Sequence, residues 1–274
     1  MWVAHSIKEV IKIRNFYTFF SVHFKDGFNF YGESHNFWEC LYVIDGKVCV
    51  SADEKVYNLS SGEIIFHKPL EMHKFYIDNK NGATLLIFSF DIEGSKSDYF
   101  KEKVFMLSPE QKNIIDSLLE YVDKDLTFKI SKNYLEPFDS SDIYSQAVST
   151  YIHQLFLFLL ENENLSQNAT DPHAIIYKKA VNYMKSMVSA QVSVEDVAKK
   201  CNISTSSLKR IFYKYSGLSI HKYFLTLKIN TAANMLKNGE SVTQVAQTLD
   251  FSSQGYFSKV FKRETGINPT QIKS

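Results

Sequence analysis

The sequence contains few cysteines, and their arrangement suggests neither a disulfide framework nor a zinc site. Its 274 residues include three of them, Cys40, Cys49 and Cys201, an odd number without CxxC spacing. Widely spaced cysteines of this kind are typical of reduced thiols in the cytosol. We therefore expect a cytoplasmic protein.

Long apolar runs are also absent. The strongest, residues 155–160, is far shorter than the roughly 20 residues that a membrane-spanning helix needs. The first ten residues, MWVAHSIKEV, lack a charged segment followed by an apolar core. We therefore expect no secretory signal and no membrane partner.

The net charge of +1 conceals two parts of opposite sign. Residues 171–274 contain 15 Lys and Arg against 6 Asp and Glu, a net charge of +9, whereas residues 1–170 contain 16 against 24, a net charge of −8. A basic segment joined to an acidic one indicates a polyanion-binding module attached to a domain with another role.

Residues 1–95 are predicted to form strands, within a domain over residues 1–105. Short alternating runs are separated by the turn signals Asp26-Gly27, Asp45-Gly46, Ser60-Ser61-Gly62 and Asn81-Gly82. Even spacing without intervening helices favours a sandwich or a small barrel. Strand alternation places His35, Phe37 and Glu39 on one face, and Trp38 and Tyr42 on the other, under the flanking helices.

Two amphipathic helices are predicted in a helical segment over residues 106–161. Ser108 caps the first, Pro109 takes its first position, and Gln111 completes a capping box. The second spans about residues 142–161, and its wide apolar stripe indicates either burial on several sides or contact with a second subunit. The candidate dimer seam consists of Ile152, Leu155, Phe156 and Leu159. Residues 162–171 are polar and predict an exposed linker.

The basic segment over residues 172–274 contains one helical pattern twice. CNISTSSLKRIFYKYSG at 201–217 is echoed by DFSSQGYFSKVFKRETG at 250–266. Each copy follows a short helix and begins at a serine cap, as in a helix-turn-helix with a basic second helix. Ser219 is predicted to begin a connecting helix of about 27 Å that ends near Lys237, which suits two adjacent major-groove segments. The candidate DNA contacts are Ser204, Thr205, Ser206, Lys209 and Arg210 in the first unit, and Ser253, Gln254, Tyr256, Ser258 and Lys259 in the second.

Residues 172–273 resemble the DNA-binding domain of the AraC/XylS family. The resemblance rests on Val194-x2-Val197-Ala198, Ser204-x3-Leu208-x-Arg210-x-Phe212, Gly217-x-Ser219, Tyr256-Phe257-Ser258-x2-Phe261-Lys262, Gly266 and Pro269. It implies a transcription activator in which a small-molecule effector, often a sugar or related metabolite, reorients the halves of a homodimer on double-stranded promoter DNA and recruits RNA polymerase. Asp250, in place of a usual glycine, and Gly255, in the second reading helix, depart from the family pattern.

The N-terminal domain resembles, less specifically, the cupin barrel. His35-x3-Glu39-x6-Gly46 and Gly62-x10-His73 keep the cupin spacing, whereas Glu33 stands where a cupin usually has histidine. A His and a Glu on an inner face predict an effector site of His35, Phe37, Glu39 and His73 for a sugar or similar polyol.

Alternatives to a regulator with a small effector remain at this point. His35, Glu39 and His73 are the candidate ligands if a metal is bound, which leaves open a metal-dependent cupin enzyme with a DNA-binding tail. A regulator switched by a protein partner is another possibility. We expect no cofactor and no catalysis, because phosphate loops, dinucleotide fingerprints and Ser/His/Asp or Cys/His patterns are missing. The predicted fold class is α+β: a cupin-like β-barrel with two following helices, then an all-α domain with two helix-turn-helix units.

Overall fold

The computed structural model describes residues 2–124, 141–161, 164–166 and 171–272. Within these residues, an N-terminal domain of seven strands and two α-helices precedes a helical C-terminal domain, as the predicted α+β class requires. The strands are β1 (Lys12–Phe24), β2 (Trp38–Ala52), β3 (Lys55–Ser60), β4 (Glu63–His67), β5 (His73–Tyr76), β6 (Ala83–Glu93) and β7 (Val104–Met106). The helices are α1 (Pro109–Lys124), α2 (Asp142–Glu161), α3 (Pro172–Ser186), α4 (Val194–Cys201), α5 (Thr205–Ser216), α6 (Ile220–Lys237), α7 (Val242–Thr248) and α8 (Gln254–Thr265).

Strand β2 belongs to both layers of the antiparallel sheet. Its first half pairs with β4 and β6, and its second half pairs with β3 and β5. The register of β2 with β6 shifts between Val43 and Asp45, an irregularity that bends the strand just before Gly46. Gly46 has a φ of 86°, and a Cβ there would lie 2.4 Å from the Gly82 carbonyl oxygen. The predicted turn at Asp45-Gly46 is therefore wrong: these residues bend one strand instead of ending it.

The two faces of β2 contribute to different cores, as strand alternation predicted. Leu41 and Val43 face the space between the layers, together with Phe20, Leu59 and Phe75. The opposite face places Trp38, Cys40 and Tyr42 in the core beneath α1 and α2. The interpretation of Trp38 and Tyr42 as residues that pack under the flanking helices is confirmed.

The helical segment begins where the sequence indicates. The Gln111 N–H donates to Ser108 Oγ at 3.3 Å, and the Ser108 N–H donates to Gln111 Oε1 at 2.8 Å. This reciprocal pair is the predicted capping box, and it starts α1 at Pro109. Residues 125–140 of the same segment lie outside the described residues.

The predicted dimer seam on α2 faces the core of its own chain. Its four residues have no exposed surface within the chain: Ile152, Leu155, Phe156 and Leu159. The Phe156 ring contacts those of Phe66, Phe90 and Phe100 at centroid distances of 5.1–5.5 Å. The wide stripe therefore reflects burial on several sides, because the sheet, α1 and the turn at residues 97–100 all pack against it.

Part of the predicted linker is structured. The Met106 N–H donates to the Asn164 carbonyl at 2.9 Å, and the Ser166 N–H donates to the Val104 carbonyl at 3.0 Å. Residues 164–166 therefore run antiparallel along β7, a pairing across nearly 60 positions that composition does not reveal. Residues 162–163 and 167–170 of the predicted linker lie outside the described residues.

The C-terminal domain has two cores, and each also receives residues from the N-terminal domain. The first surrounds Phe212 and includes Cys49 and Met72. The second surrounds Phe257, and Leu70 packs against it. Within the described ranges, no helix is both long and apolar enough for a bilayer crossing.

Candidate DNA-binding surface and sensor site

The first helix-turn-helix unit consists of α4, a short turn and α5. Ser193 Oγ accepts from the Asp196 N–H at 3.1 Å, and the Asp196 carboxylate accepts from the Ser193 N–H at 3.0 Å. Asn202 ends α4 in the left-handed conformation, with a φ of 58°, and Ser204 caps α5. The serine caps thus set the start of both helices, as predicted.

The outer face of α5 carries the predicted contacts of the first unit. Ser206, Lys209 and Arg210 are exposed, and Thr205 is half-buried. Ser204 is exposed as well, but its Oγ accepts a backbone N–H at 3.2 Å, so its hydroxyl serves the cap. Two long cations and a hydroxyl therefore project from one side of a helix whose other side is buried, as a major-groove contact requires.

The second unit repeats this arrangement with α7 and α8. Ser253 Oγ accepts a backbone N–H at 3.1 Å and caps α8. The predicted contacts are exposed at Ser253, Gln254, Tyr256 and Lys259 and half-buried at Ser258. Gln254 is already engaged, because its Oε1 accepts from Thr243 Oγ1 at 2.8 Å. The second reading helix therefore presents a single cation, Lys259, in the region where the first presents two.

The turn of the second unit holds a strained residue. Asp250, which stands where the family usually has glycine, has a φ of 53°. Gln191 Nε2 donates to both its carbonyl and its Oδ2 at 3.0 Å. The buried Lys228 ammonium donates to the adjacent Leu249 carbonyl at 2.7 Å. These bonds offset a left-handed strain of roughly 1–2 kcal/mol.

Helix α6 connects the two units and belongs to both. It begins after the Ser219 cap and ends at Lys237, as predicted, and its 18 residues make it about 27 Å long. Phe224 packs in the first core, whereas Ile229 and Leu236 pack in the second. A helix fixed in both cores holds the two reading helices at one separation.

Gly255 gives a prediction for the second reading helix. A Cβ at this exposed position meets no atom within 4 Å, so Gly255→Ala should raise the free energy of unfolding by roughly 0.5–1 kcal/mol. The matched control is Gly266→Ala in the cap of the same helix, where φ is 79° and an added Cβ should destabilise by about 1 kcal/mol. Urea unfolding followed by circular dichroism at 222 nm measures both. If both variants changed the free energy of unfolding in the same direction and by the same amount, this explanation would be contradicted.

Four polar side chains of the N-terminal domain converge into a group that we call the polar cluster: Glu33, His35, Glu39 and His73. His73 Nε2 lies 3.4 Å from Glu39 Oε1 and 3.7 Å from Glu33 Oε1, and His35 Nε2 lies 3.6 Å from Glu39 Oε2. The structure thus brings together three of the predicted effector residues. Glu33 was not predicted as a member. The signal that could have identified it is its position two residues before His35, on the same side of an extended chain.

Phe37 lies beside the polar cluster but is covered on both faces. Its ring stacks on His35 at a centroid distance of 3.8 Å and on Tyr17 at 4.2 Å. Phe37 therefore orients the His35 imidazole in the structure, and no face of its ring is open for stacking on a sugar.

Within the polar cluster, the histidine and glutamate side chains stabilise each other's charged forms. Burial opposes the charge on Glu39, but the imidazoles of His35 and His73 outweigh it and hold the pKa of this carboxyl well below its usual range. Burial also disfavours a charged His73, yet the Glu33 and Glu39 carboxylates raise its pKa well above the ordinary value. The polar cluster thus holds a positive charge between two carboxylates.

A cavity of about 680 Å³ adjoins the polar cluster and lies between the two domains. Its wall includes residues 32–36 on one side and one face of α6 on the other. Asn230 Nδ2 bridges the gap by donating to Ser34 Oγ at 3.2 Å, and Lys237 Nζ donates to Asn36 Oδ1 at 3.2 Å. The space between the sheet layers, by contrast, is filled by aromatic rings in mutual contact, which include Phe24, Phe28, Phe30 and Phe75.

A second contact between the domains, which we call the α5 clasp, grips the end of the first reading helix. The buried Lys74 ammonium donates to the Lys214 carbonyl at 2.7 Å and the Tyr213 carbonyl at 3.3 Å. Burial lowers the pKa of Lys74 to about 8. Gly32 completes the clasp, since a Cβ there would lie 2.0 Å from the Ser216 carbonyl oxygen. Sequence reasoning missed this contact because its partners are about 140 positions or more apart.

Both domains match known families. Residues 197–274 match a helix-turn-helix domain, and residues 23–98 match an AraC-like ligand-binding domain. The first match covers both reading helices, and the second contains all four residues of the polar cluster.

Relatives over most of the chain are named as regulators. The chain is 24% identical over 240 residues to the uncharacterized HTH-type transcriptional regulator YidL of Escherichia coli strain K12, covering 86% of this chain and 75% of that protein. It is 25% identical over 244 residues to the Msm operon regulatory protein of Streptococcus mutans, covering 85% and 82%. A solved structure of ToxT from Vibrio cholerae aligns with 96% of this chain and 97% of its own, at 14% identity and a TM-score of 0.39.

Proposed function

Because this chain belongs to the AraC/XylS family of transcriptional regulators, we propose that it activates transcription from promoter DNA in response to a ligand of its N-terminal domain. The observation that carries the proposal is the pair of serine-capped reading helices, α5 and α8, joined by a helix that packs in both cores. Because α6 holds the exposed faces of α5 and α8 in one molecule, both can bind at once only to a continuous DNA duplex. We place the protein in the cytoplasm, where promoter DNA and RNA polymerase are accessible.

We assign the recognition of specific DNA bases chiefly to the first helix-turn-helix unit. Arg210 offers the guanidinium fork that pairs with guanine O6 and N7, and Lys209 beside it suits a phosphate or a second guanine. On α8, Lys259 and Tyr256 are exposed, and the Gln254 side chain is held by Thr243. We therefore expect the second unit to contact mainly phosphates, which positions the protein on the duplex and adds affinity.

The effector site that we propose is the cavity between the domains. Its volume of about 680 Å³ suits a small molecule, and polar groups from both sides reach it, including His35, Asn230 and Lys222. A ligand that contacts both domains stabilises one arrangement of them over others, and this difference in affinity is what a switch requires. A polar metabolite such as a sugar remains the chemical class that we propose.

The dimer that we propose uses the outward side of the helical segment. Leu157 is 43% exposed on α2, on the side opposite the buried stripe, and Tyr151, Gln154 and Phe158 line a groove between α1 and α2. A homodimer would place four reading helices on one promoter and present a joint surface to RNA polymerase.

The test of the proposed function is a footprint on selected DNA. Full-length protein is used to enrich sites from random duplexes, and hydroxyl-radical cleavage then maps the contacts. We expect each subunit to protect two segments about 10 base pairs apart, since α5 and α8 lie in successive major-groove segments. Lys259→Ala should weaken protection of one segment only.

Two outcomes would contradict this proposal. A failure to enrich any sequence would overturn sequence-specific binding altogether. Protection of one segment, unchanged by Lys259→Ala, would remove the second unit from the contact surface.

A further inference from the structure

The two imidazoles of the polar cluster are oriented as ligands. His35 Nδ1 lies 3.0 Å from the Phe37 carbonyl oxygen, and His73 Nδ1 lies 3.0 Å from the Glu71 carbonyl oxygen. An Nδ1–H bonded to a carbonyl fixes the ring and leaves Nε2 to face a partner, as in histidines that bind metals. Both Nε2 atoms are aimed into the polar cluster.

Neither Nε2 atom is satisfied by the part of the chain that the structure describes. Both are buried without a hydrogen bond, and the His73 side chain is only 3% exposed. Their distances to the carboxylate oxygens, 3.4–3.7 Å, exceed those of a direct hydrogen bond. A buried polar atom without a hydrogen bond costs about 1–3 kcal/mol, and a bound ion, which displaces any proton from Nε2, would remove that cost.

One donor atom from each of the four side chains lies within 4.8 Å of the others. Such a spacing allows four ligands to surround one ion at about 2.0–2.2 Å after small rotations. The set comprises two imidazole nitrogens and two carboxylates. Ser89 Oγ donates to Glu39 Oε2 at 3.1 Å and orients the carboxylate from behind.

We propose that Glu33, His35, Glu39 and His73 bind a divalent transition-metal ion, and that this ion controls the α5 clasp. Two nitrogen and two oxygen donors suit zinc, iron(II) or manganese(II), whereas magnesium and calcium prefer oxygen donors alone. Glu33 is the ligand that distinguishes this site from the three-residue set predicted from the sequence.

The link to DNA binding runs through two backbone segments. Glu33 follows Gly32, which packs on Ser216, and His73 precedes Lys74, which holds the carbonyls at the end of α5. Glu33 and His73 also exchange two backbone hydrogen bonds of 2.9 Å. An ion that draws these two side chains together therefore fixes both halves of the α5 clasp, and with them the orientation of the first reading helix.

The regulatory part of this inference rests on the proposed function, so metal binding is measured first and without DNA. Full-length protein is stripped with EDTA and titrated with Zn²⁺ by isothermal calorimetry. We expect one ion per chain, no binding of Mg²⁺, and at least a tenfold weaker Kd for Zn²⁺ in Glu33→Gln and His35→Gln. Glu33 is 42% exposed, so its variant should fold. The matched control is His23→Gln, an exposed histidine of the same domain that contacts Thr84 at 3.0 Å.

DNA affinity is then compared with and without saturating Zn²⁺. We expect at least a fivefold change in Kd that is lost in Glu33→Gln and also in Lys74→Met, which retains the ion but removes the clasp. Absent Zn²⁺ binding, or binding that persists in both ligand variants, would overturn the site. Binding without any change in DNA affinity would overturn the link to the α5 clasp, and an absence of specific DNA binding would instead count against the proposed function.

Discussion

Leu155→Ala is expected to lower the free energy of unfolding of the N-terminal domain by roughly 3–5 kcal/mol. The side chain is fully buried among the rings beneath α2, so its removal leaves a cavity that rigid aromatic neighbours cannot fill. Leu157→Ala, two positions along the same helix, should cost less than about 1 kcal/mol because its side chain is 43% exposed.

Tryptophan fluorescence measures this difference without any label. The chain has two tryptophans, of which Trp38 lies in the same core as Leu155 and Trp2 is fully exposed. The emission change in urea therefore reports the N-terminal domain. If Leu155→Ala left the unfolding midpoint unchanged but sedimented as a smaller species, α2 would be a subunit seam after all.

Arg210→Ala is expected to weaken specific DNA binding by roughly 5- to 150-fold. This range corresponds to the 1–3 kcal/mol of a bidentate arginine–guanine contact. Arg210 is exposed on the outer face of α5, so its removal should leave the fold intact. Titration of labelled duplexes, carrying either the selected site or a random sequence, measures the loss.

Arg210→Lys is the matched variant that separates two roles. Lysine keeps the charge but not the planar fork, so it should restore little of the specific affinity if Arg210 reads a guanine. Full restoration by lysine, together with equal losses on specific and random duplexes, would identify a phosphate contact instead. Arg14→Ala, which removes one charge from the surface of the N-terminal domain, controls for net charge.

Helix ends could be predicted from the sequence because their causes are local. Ser108, Ser204 and Ser219 each cap a helix by accepting from the backbone N–H three positions later, and a pattern of that length is visible in a single chain. At Asp250 the family resemblance alone marked the position, as one where glycine is usual, and the φ of 53° there accounts for that glycine.

Features that depend on distant pairing could not be predicted. Asp45-Gly46 has the composition of a turn, and only the shifted ladder with β6 shows that it bends a continuing strand. The stripe around Leu155 has the same periodicity whether it meets a sheet or a second subunit. Alternation places Glu33 on the same side as His35, but its approach to His73 depends on a backbone bridge across 40 positions, which local alternation does not specify.

The rigidity of α6 also constrains how target promoters can evolve. Because both cores grip this helix, one subunit has a single distance between its reading helices. One base pair inserted between the two contacted segments would move the second by about 3.4 Å and rotate it by roughly 35° around the duplex. Substitutions within a segment can accumulate gradually, whereas insertions between segments abolish half of the contact in one step. Promoters recognised by this protein should therefore accumulate base substitutions while the spacing between the two contacted segments stays constant.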